Sequence, residues 1–269
     1  MAMPMSRAAL VAAALLLVPL VPAEAGSTWD GIRSEVWGTR QISTAQGVVA
    51  LDAPYRPDNV MRVPLKADIT VPAGETIKTV SFVVDENPSP VAAVVTLGGD
   101  RQTAKLSTYI RLNQQSDVRV VVETGSGELF MAERLVKFAG GQASCSAPPQ
   151  GDPQEIVANM GKMHVAYEGP AATASHQTQA AKLEINHPNH TGMVLDQITL
   201  HYIPLLMVDR IEVKQGDEVV LTAAGSITLS QNPTIDFDFV TNGASELTIT
   251  ARDTSGAEWR KSVPVGPAS

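Results

Sequence analysis

Cys145 is the only cysteine in the 269-residue chain, and it lies in the run Gly140-Gly141-Gln142-Ala143-Ser144-Cys145-Ser146-Ala147-Pro148-Pro149. A single thiol has no internal disulfide partner. The chemistry open to it is pairing with another molecule, or attack by its thiolate on a group brought to it. The run has no large apolar side chain to bury. It is therefore expected to be a solvent-exposed, flexible arm, with Gly140, Gly141, Ser144 and Ser146 giving it freedom. No Lys, Arg or His stands within five residues of Cys145, the nearest being Lys137, eight positions away. At an unperturbed pKa near 8.5, only ~3% of such a thiol is thiolate at neutral pH. That describes a passive covalent handle, activated by whatever partner works on it. Two blander readings stand beside this one: a small buried hydrophobe, or an accidental thiol on an inert linker.

Other constellations are weaker. His187 and His190 form an H-x-x-H pair, and His164, His176 or His201 could be recruited to it. A zinc site needs three or four converging ligands, and two histidines around Pro188 need not face one way. No metal or other cofactor is expected. No G-x-S-x-G elbow, Ser–His–Asp grouping, G-x-G-x-x-G fingerprint or P-loop is present, so hydrolase and nucleotide chemistry have no carrier residues. That the protein is not itself an enzyme is what a family resemblance, carried by the runs given below, implies.

The elements that must position the thiol follow from patterning. Residues 1–25 read as a signal peptide: Arg7 is the basic start, Ala8 to Ala23 the apolar stretch, and Ala23-Glu24-Ala25 the small-x-small site, with cleavage expected after Ala25. No later stretch approaches the roughly 18–20 apolar residues of a membrane span. The expected location is the periplasm. The net charge is −8, and Arg7 and Glu24 cancel within the signal peptide, so the mature chain stays acidic. That argues against nucleic acid or anionic lipid as partner and is equally compatible with simple solubility or a basic protein partner.

A short helix is expected at Thr28–Trp37, where Trp29, Ile32, Val36 and Trp37 share a face. Strands are then expected at 48–51, 61–70, 77–84, 91–97, 105–112, 118–123 and 128–138. Seven short strands in roughly 100 residues is the immunoglobulin-like pattern. After the arm at 140–151, Asp152 and Pro153 start a second helix, Pro153–Met160, with Ile156, Val157 and Met160 as its apolar side and Gly161 as its stop. A second strand series is expected at 163–167, 182–187, 197–203, 207–213, 218–223, 234–239, 246–251 and 258–263. The fold class is all-β: two immunoglobulin-like antiparallel β-sandwiches in tandem, at 26–139 and 152–269.

Several runs resemble a known pair of families. In the first half these are Val49-Ala50-Leu51-Asp52-Ala53-Pro54, Glu86-Asn87-Pro88-Ser89-Pro90-Val91-Ala92-Ala93, Ser107-Thr108-Tyr109-Ile110-Arg111-Leu112 and Val118-Arg119-Val120-Val121-Val122-Glu123. Together with Gly140-Gly141 and Cys145 they make the half similar to SoxY. In the second half, His187-Pro188-Asn189-His190-Thr191-Gly192, Tyr202-Ile203-Pro204, Ser230-Gln231-Asn232-Pro233 and Asp253-Thr254-Ser255-Gly256 resemble SoxZ. The ordered set resembles the fused SoxYZ-like carriers associated with quinoprotein dehydrogenases. The resemblance implies a carrier whose cargo is held covalently on Cys145. It also implies periplasmic redox partners: sulfur-oxidation-type enzymes, or a quinoprotein dehydrogenase and cytochrome c. Two departures accompany it. Gln142-Ala143-Ser144 intervene before the cysteine, with Ser146-Ala147-Pro148-Pro149 where glycines would trail it. The arm is also tied at both ends, reaching at most about 17 Å from Gly140 to Cys145. The alternative function is a non-covalent accessory protein for such a dehydrogenase or its cytochrome.

Overall fold

The computed structural model describes residues 27–138, 140, 143–169 and 175–265. The expected signal peptide with its cleavage after Ala25, and Gly141 of the arm, lie outside the described residues.

Helix α1 (Thr28–Trp37) forms over the expected span, capped by the Ser27 side chain accepting from Asp30 N, while Val36 of the expected apolar face is exposed. Its Ile32 and Trp37 are buried against Val83, Val121, Leu129 and Met131. The first half then supplies β1 (Ile42–Ser43), β2 (Val49–Asp52), β3 (Val63–Thr70), β4 (Ile77–Val84), β5 (Val91–Leu97), β6 (Thr103–Ile110), β7 (Ser116–Thr124) and β8 (Leu129–Val136). Helix α2 (Pro153–Asn159) follows, and Asp152 caps it by accepting from Gln154 N and Glu155 N. The second half contributes β9 (Met163–Glu168), β10 (Thr178–Ile185), β11 (Val208–Gln215), β12 (Glu218–Gly225), β13 (Thr234–Val240), β14 (Glu246–Asp253) and β15 (Glu258–Pro264).

The two sandwiches lie edge to edge, and their sheets run on from one half into the other. One sheet has nine strands in the order β1-β8-β7-β4-β5-β12-β11-β14-β15, and the other six in the order β2-β3-β6-β13-β10-β9. The seam consists of β5 paired with β12 and β6 paired with β13, both antiparallel. Among the described residues, only the short β1–β8 pairing is parallel. Alternation produces the common core: β10 buries Gln179, Ala181, Leu183 and Ile185, and β13 buries Ile235, Phe237 and Phe239, one face of each strand. One apolar cluster spans both halves, joining Val95 and Leu106 to Leu221, Leu229 and Phe237. Gly98 shows how close the halves approach: a Cβ there would lie 1.6 Å from the Val219 carbonyl oxygen on β12. Ion pairs cross the same seam, Arg101 to Asp238 at 2.7 Å and Arg62 to Glu184 at 3.2 Å.

Two local expectations fail. Residues 197–203 form no strand. They are the tip and return of a tight hairpin bridged at Leu195 to Tyr202 and, farther back, at His190 to Leu206. Asp196 accepts from the amides of Ile198 and Thr199 and closes the tip, and Leu200 sits at φ 56°. The alternating Ile198, Leu200 and Tyr202 that look like a strand face all stand in solvent, Ile198 at 92%. On α2, Ile156 and Met160 are only half-buried and Val157 is 69% exposed, so its apolar side does not enter the core. The helix has two turns and is anchored by its cap rather than by a buried stripe.

Candidate functional site

The arm is docked where it carries the cysteine. Ser144–Ser146 forms one 3-10 turn, closed by Ser146 N donating to Ala143 O and Ala147 N to Ser144 O. Cys145 is 1% exposed. This corrects the expectation of a solvent-exposed, freely moving thiol. Small side chains suit a mobile arm, but they also suit a narrow seam, and here the seam wins because both halves offer hydrogen-bond partners. Cys145 N donates to Asn113 Oδ1 at 3.3 Å, from the first half. Thr191 Oγ1 donates to Cys145 O at 2.5 Å, from the second. Farther along, Gln150 and Gln231 exchange a reciprocal pair, Gln150 N to Gln231 Oε1 and Gln231 Nε2 to Gln150 O. Of the remaining arm residues, Ser144 is buried, Ser146 half-buried and Gly140 exposed.

Arg111, just past the end of β6, is the largest fully buried side chain. Its guanidinium donates to the Ile227 and Leu229 carbonyls at 3.1 and 2.8 Å and reaches the Pro188 carbonyl at 3.4 Å, all in the second half. Asn87 supports it, donating from Nδ2 to Arg111 O and to Thr228 Oγ1, and accepting from Asn113 N. The residue that hydrogen-bonds Cys145 N is thus held by the residue that holds Arg111.

Burial shifts the titration of the group. It pushes the Cys145 thiol up, opposed by the Arg111 charge and by the Ser144 hydroxyl. It brings Arg111 down to about 10, with the interaction with Cys145 opposing. His190 is lowered by burial and then by Arg111. The docked thiol is therefore neutral at neutral pH, beside a cation that the local sequence does not disclose. The one clue in the sequence is a charge set between Ile110 and Leu112 at the end of an alternating strand.

His187 and His190 do not build a metal site. His187 Nδ1 accepts from Asn189 N at 3.0 Å, and its Nε2 faces Asp253 Oδ2 at 3.4 Å. That fixes the ring as a buried structural link, with its pKa lowered by burial despite Asp253. Among the described residues no three His, Cys, Asp or Glu side chains converge to hold a metal. The His187–Asn189 segment instead ties the second half together and meets the first: Asn189, at φ 51°, donates to Leu229 O and accepts from Val208 N, and the Pro188 carbonyl accepts from Arg111.

What the fold and site define is a two-sandwich β-protein with a single cysteine turn inserted into the seam between its halves. The family model for the sulfur oxidation protein SoxY matches residues 33–142, and that for the sulphur oxidation protein SoxZ matches residues 167–264. The chain is a fused SoxYZ-like protein, with the SoxY part first. Among solved structures, the sulfur carrier protein SoxY from Chlorobium limicola f thiosulfatophilum is 25% identical over 41% of this chain and 96% of its own, with a TM-score of 0.36. A beta-glycosidase from Bacteroides vulgatus is 9% identical over 82% of this chain and 25% of its own, with a TM-score of 0.25. No curated protein matches. Among the described residues no helix is long and apolar enough to cross a membrane.

Proposed function

We propose that the protein is a periplasmic carrier in sulfur oxidation, holding a sulfur-containing or other thiol-reactive intermediate covalently on Cys145 and presenting it to partner redox enzymes. In this reading a SoxY-like sandwich (26–139) and a SoxZ-like sandwich (152–269) flank a cysteine-bearing connection (140–151), and the chain carries rather than catalyses. The observation that carries the reading is the position of the sole thiol. It sits where a SoxY-type and a SoxZ-type half meet, on a one-turn segment whose described side-chain contacts with the halves at Cys145 itself are two hydrogen bonds. Each of these two bonds contributes about 0.5–1.5 kcal/mol net, so neither one locks Cys145 in the seam. Joining the Cys145 sulfur to the sulfur of a second anion removes two electrons. Loading therefore calls for an electron acceptor, which fits a partner such as a sulfur-oxidation enzyme, or a quinoprotein dehydrogenase and its cytochrome c.

The experiment is intact-mass spectrometry of protein isolated from its native host while sulfur oxidation is running, with and without reductant. A reducible mass increment that disappears in Cys145→Ser supports the reading. A mass that never exceeds that of the free chain, together with unimpaired oxidation in the Cys145→Ser strain, overturns it. Burial of the thiol favours one second reading, a non-covalent accessory protein for the same dehydrogenase or cytochrome with Cys145 incidental. Co-purification with such an enzyme that survives Cys145→Ser, without any mass increment, selects it.

A further inference from the structure

The surroundings of Cys145 contain a charge without its counterpart. Arg111 is 2% exposed. Its two terminal nitrogens are spent on three main-chain carbonyls, while its Nε finds no acceptor among the described residues. No carboxylate pairs with it among the described residues, in contrast to Arg119, the other buried arginine, which is closed by Asp85, Asp117 and Glu133. His190 Nδ1 is likewise buried without a partner. A buried guanidinium held only by carbonyl dipoles keeps its charge, and such a charge is costly unless an anion answers it. A buried N–H without an acceptor adds to that cost. Both deficits fall at one place. Of the residues that grip the cysteine turn, Asn113 lies two positions from Arg111 and shares Asn87 with it, and Thr191 lies three positions from Pro188, whose carbonyl Arg111 reaches; Arg111 also interacts electrostatically with both Cys145 and His190.

Among the described residues, the group interacting there that can become an anion is the thiol. Asn113, Thr191 and Ser144 are neutral, and the next ionisable pair, His187 with Asp253, is closed on itself. We propose that Arg111, with His190 beside it, is the counter-charge of the Cys145 sulfur, offsetting part of the cost that burial in the seam places on the thiolate. Arg111 is then a positioning residue for the thiol. It supplies the cation that the sequence around Cys145 lacks and makes the docked turn sensitive to the charge on its sulfur. His190, its pKa lowered by burial and by Arg111, leaves its buried Nδ1 without a partner beside that charge. The inference deepens the carrier reading and depends on it for its purpose, but the pairing itself can be read without any cargo.

The test follows the ionisation of the single cysteine in the full-length protein by NMR of an isotope-labelled Cβ, in wild type, Arg111→Gln, Arg111→Lys and His190→Gln. Arg111→Gln is expected to lower the thiolate fraction about tenfold at any pH below the midpoint, a nearby cation being worth at least one pKa unit. Arg111→Lys restores most of it, and His190→Gln gives a smaller drop. Because Arg111→Gln can fail to fold, the Nε–H resonance of Arg111 is followed in the wild type as well. It should shift with the same midpoint as the cysteine and stop shifting in Cys145→Ser. A folded Arg111→Gln protein with an unchanged cysteine titration overturns the pairing, as does an Arg111 resonance that ignores the thiol. A chain that never carries an adduct in its host would sink the carrier reading and leave these titrations as they are.

Discussion

Thr191→Val isolates the contact that holds the cysteine turn. The two side chains are nearly the same shape, so the substitution leaves no cavity, but it removes the donor to the buried Cys145 carbonyl at 2.5 Å and the acceptor that Met193 N uses at 3.2 Å. Leaving a buried acceptor unmade costs about 1–3 kcal/mol. In the undocked turn that carbonyl faces water, so the cost falls on the docked state. With Cys145 1% exposed, an alkylating reagent reaches it only when the turn leaves the seam. At fixed pH the undocked thiol ionises equally in both proteins, so the ratio of alkylation rates reports the docking equilibrium alone. The expected rise for Thr191→Val is about 5- to 100-fold, since each 1.4 kcal/mol is tenfold, measured with iodoacetamide under native conditions and read by intact mass. Urea unfolding run in parallel should show that the variant remains folded. An unchanged rate in a folded Thr191→Val protein would refute the reasoning, because the thiol would then be reached without releasing this bond. Asn113→Ala, which removes a longer bond at 3.3 Å, should raise the rate less, about 5-fold.

Three further outcomes follow. The docked pKa of Cys145 is raised above its undocked value, so docking is fully present below the undocked value and is lost as pH rises through the docked one. The alkylation rate should therefore keep climbing beyond about pH 8.5, where a free thiol levels off, and a plateau there would contradict a buried neutral thiol. Leu229→Ala empties a seam position that is 2% exposed and should cost about 2–5 kcal/mol in urea unfolding while speeding alkylation by loosening the Arg111 carbonyl cage. His187 has a folded pKa below its unfolded value. Asp253 does too: burial raises it, but hydrogen bonds from Ser255 and Ala257 and the contact with His187 more than offset that. Both contribute stability that is present above their unfolded pKa values and is lost as pH falls. Unfolding should become easier from about pH 6.5 downward, and His187→Gln should flatten that slope as followed by thermal melts.

The parts of the fold that were legible are those set by local rules. Thr28–Trp37 is read from a 3.6-residue apolar spacing, and β13 and β14 from strict alternation at Ile235, Phe237, Phe239 and Leu247, Ile249, Ala251, because burial on one face of an element leaves a period in the sequence. The hairpin at 197–203 fails for the same reason in reverse. It shows the period of a strand while its side chains face water, and only the capping Asp196 gives the turn away. The two-residue β1 is too short to carry any period. Cys145 was legible as the residue to follow, but its environment was not. The turn is buried by Asn113 and Thr191, 32 and 46 positions away, and the charge beside it comes from Arg111. No window around residue 145 contains that information.

The runs that carry the family resemblance acquire a common physical meaning in the seam. Asn87 from the Glu86–Ala93 run and Arg111 from the Ser107–Leu112 run come from the first half. Pro188, Asn189 and Thr191 from the His187–Gly192 run, and Gln231 with Asn232 from the Ser230–Pro233 run, come from the second. All of them hydrogen-bond within one network that ends on the cysteine turn and on Gln150 behind it. A docked thiol held by both halves at once reports on their junction: whatever parts the halves also frees the sulfur. Fusing the halves, with β5 on β12 and β6 on β13, keeps that junction intact at any protein concentration, since the effective local concentration of a tethered partner reaches millimolar. The freedom left to the thiol is then the opening of one turn, and Thr191, Asn113 and Arg111 are among the groups that set the energy of that opening. This is why Thr191, Asn113 and Arg111, rather than the glycines of the arm, are the positions at which the reactivity of Cys145 should be tunable.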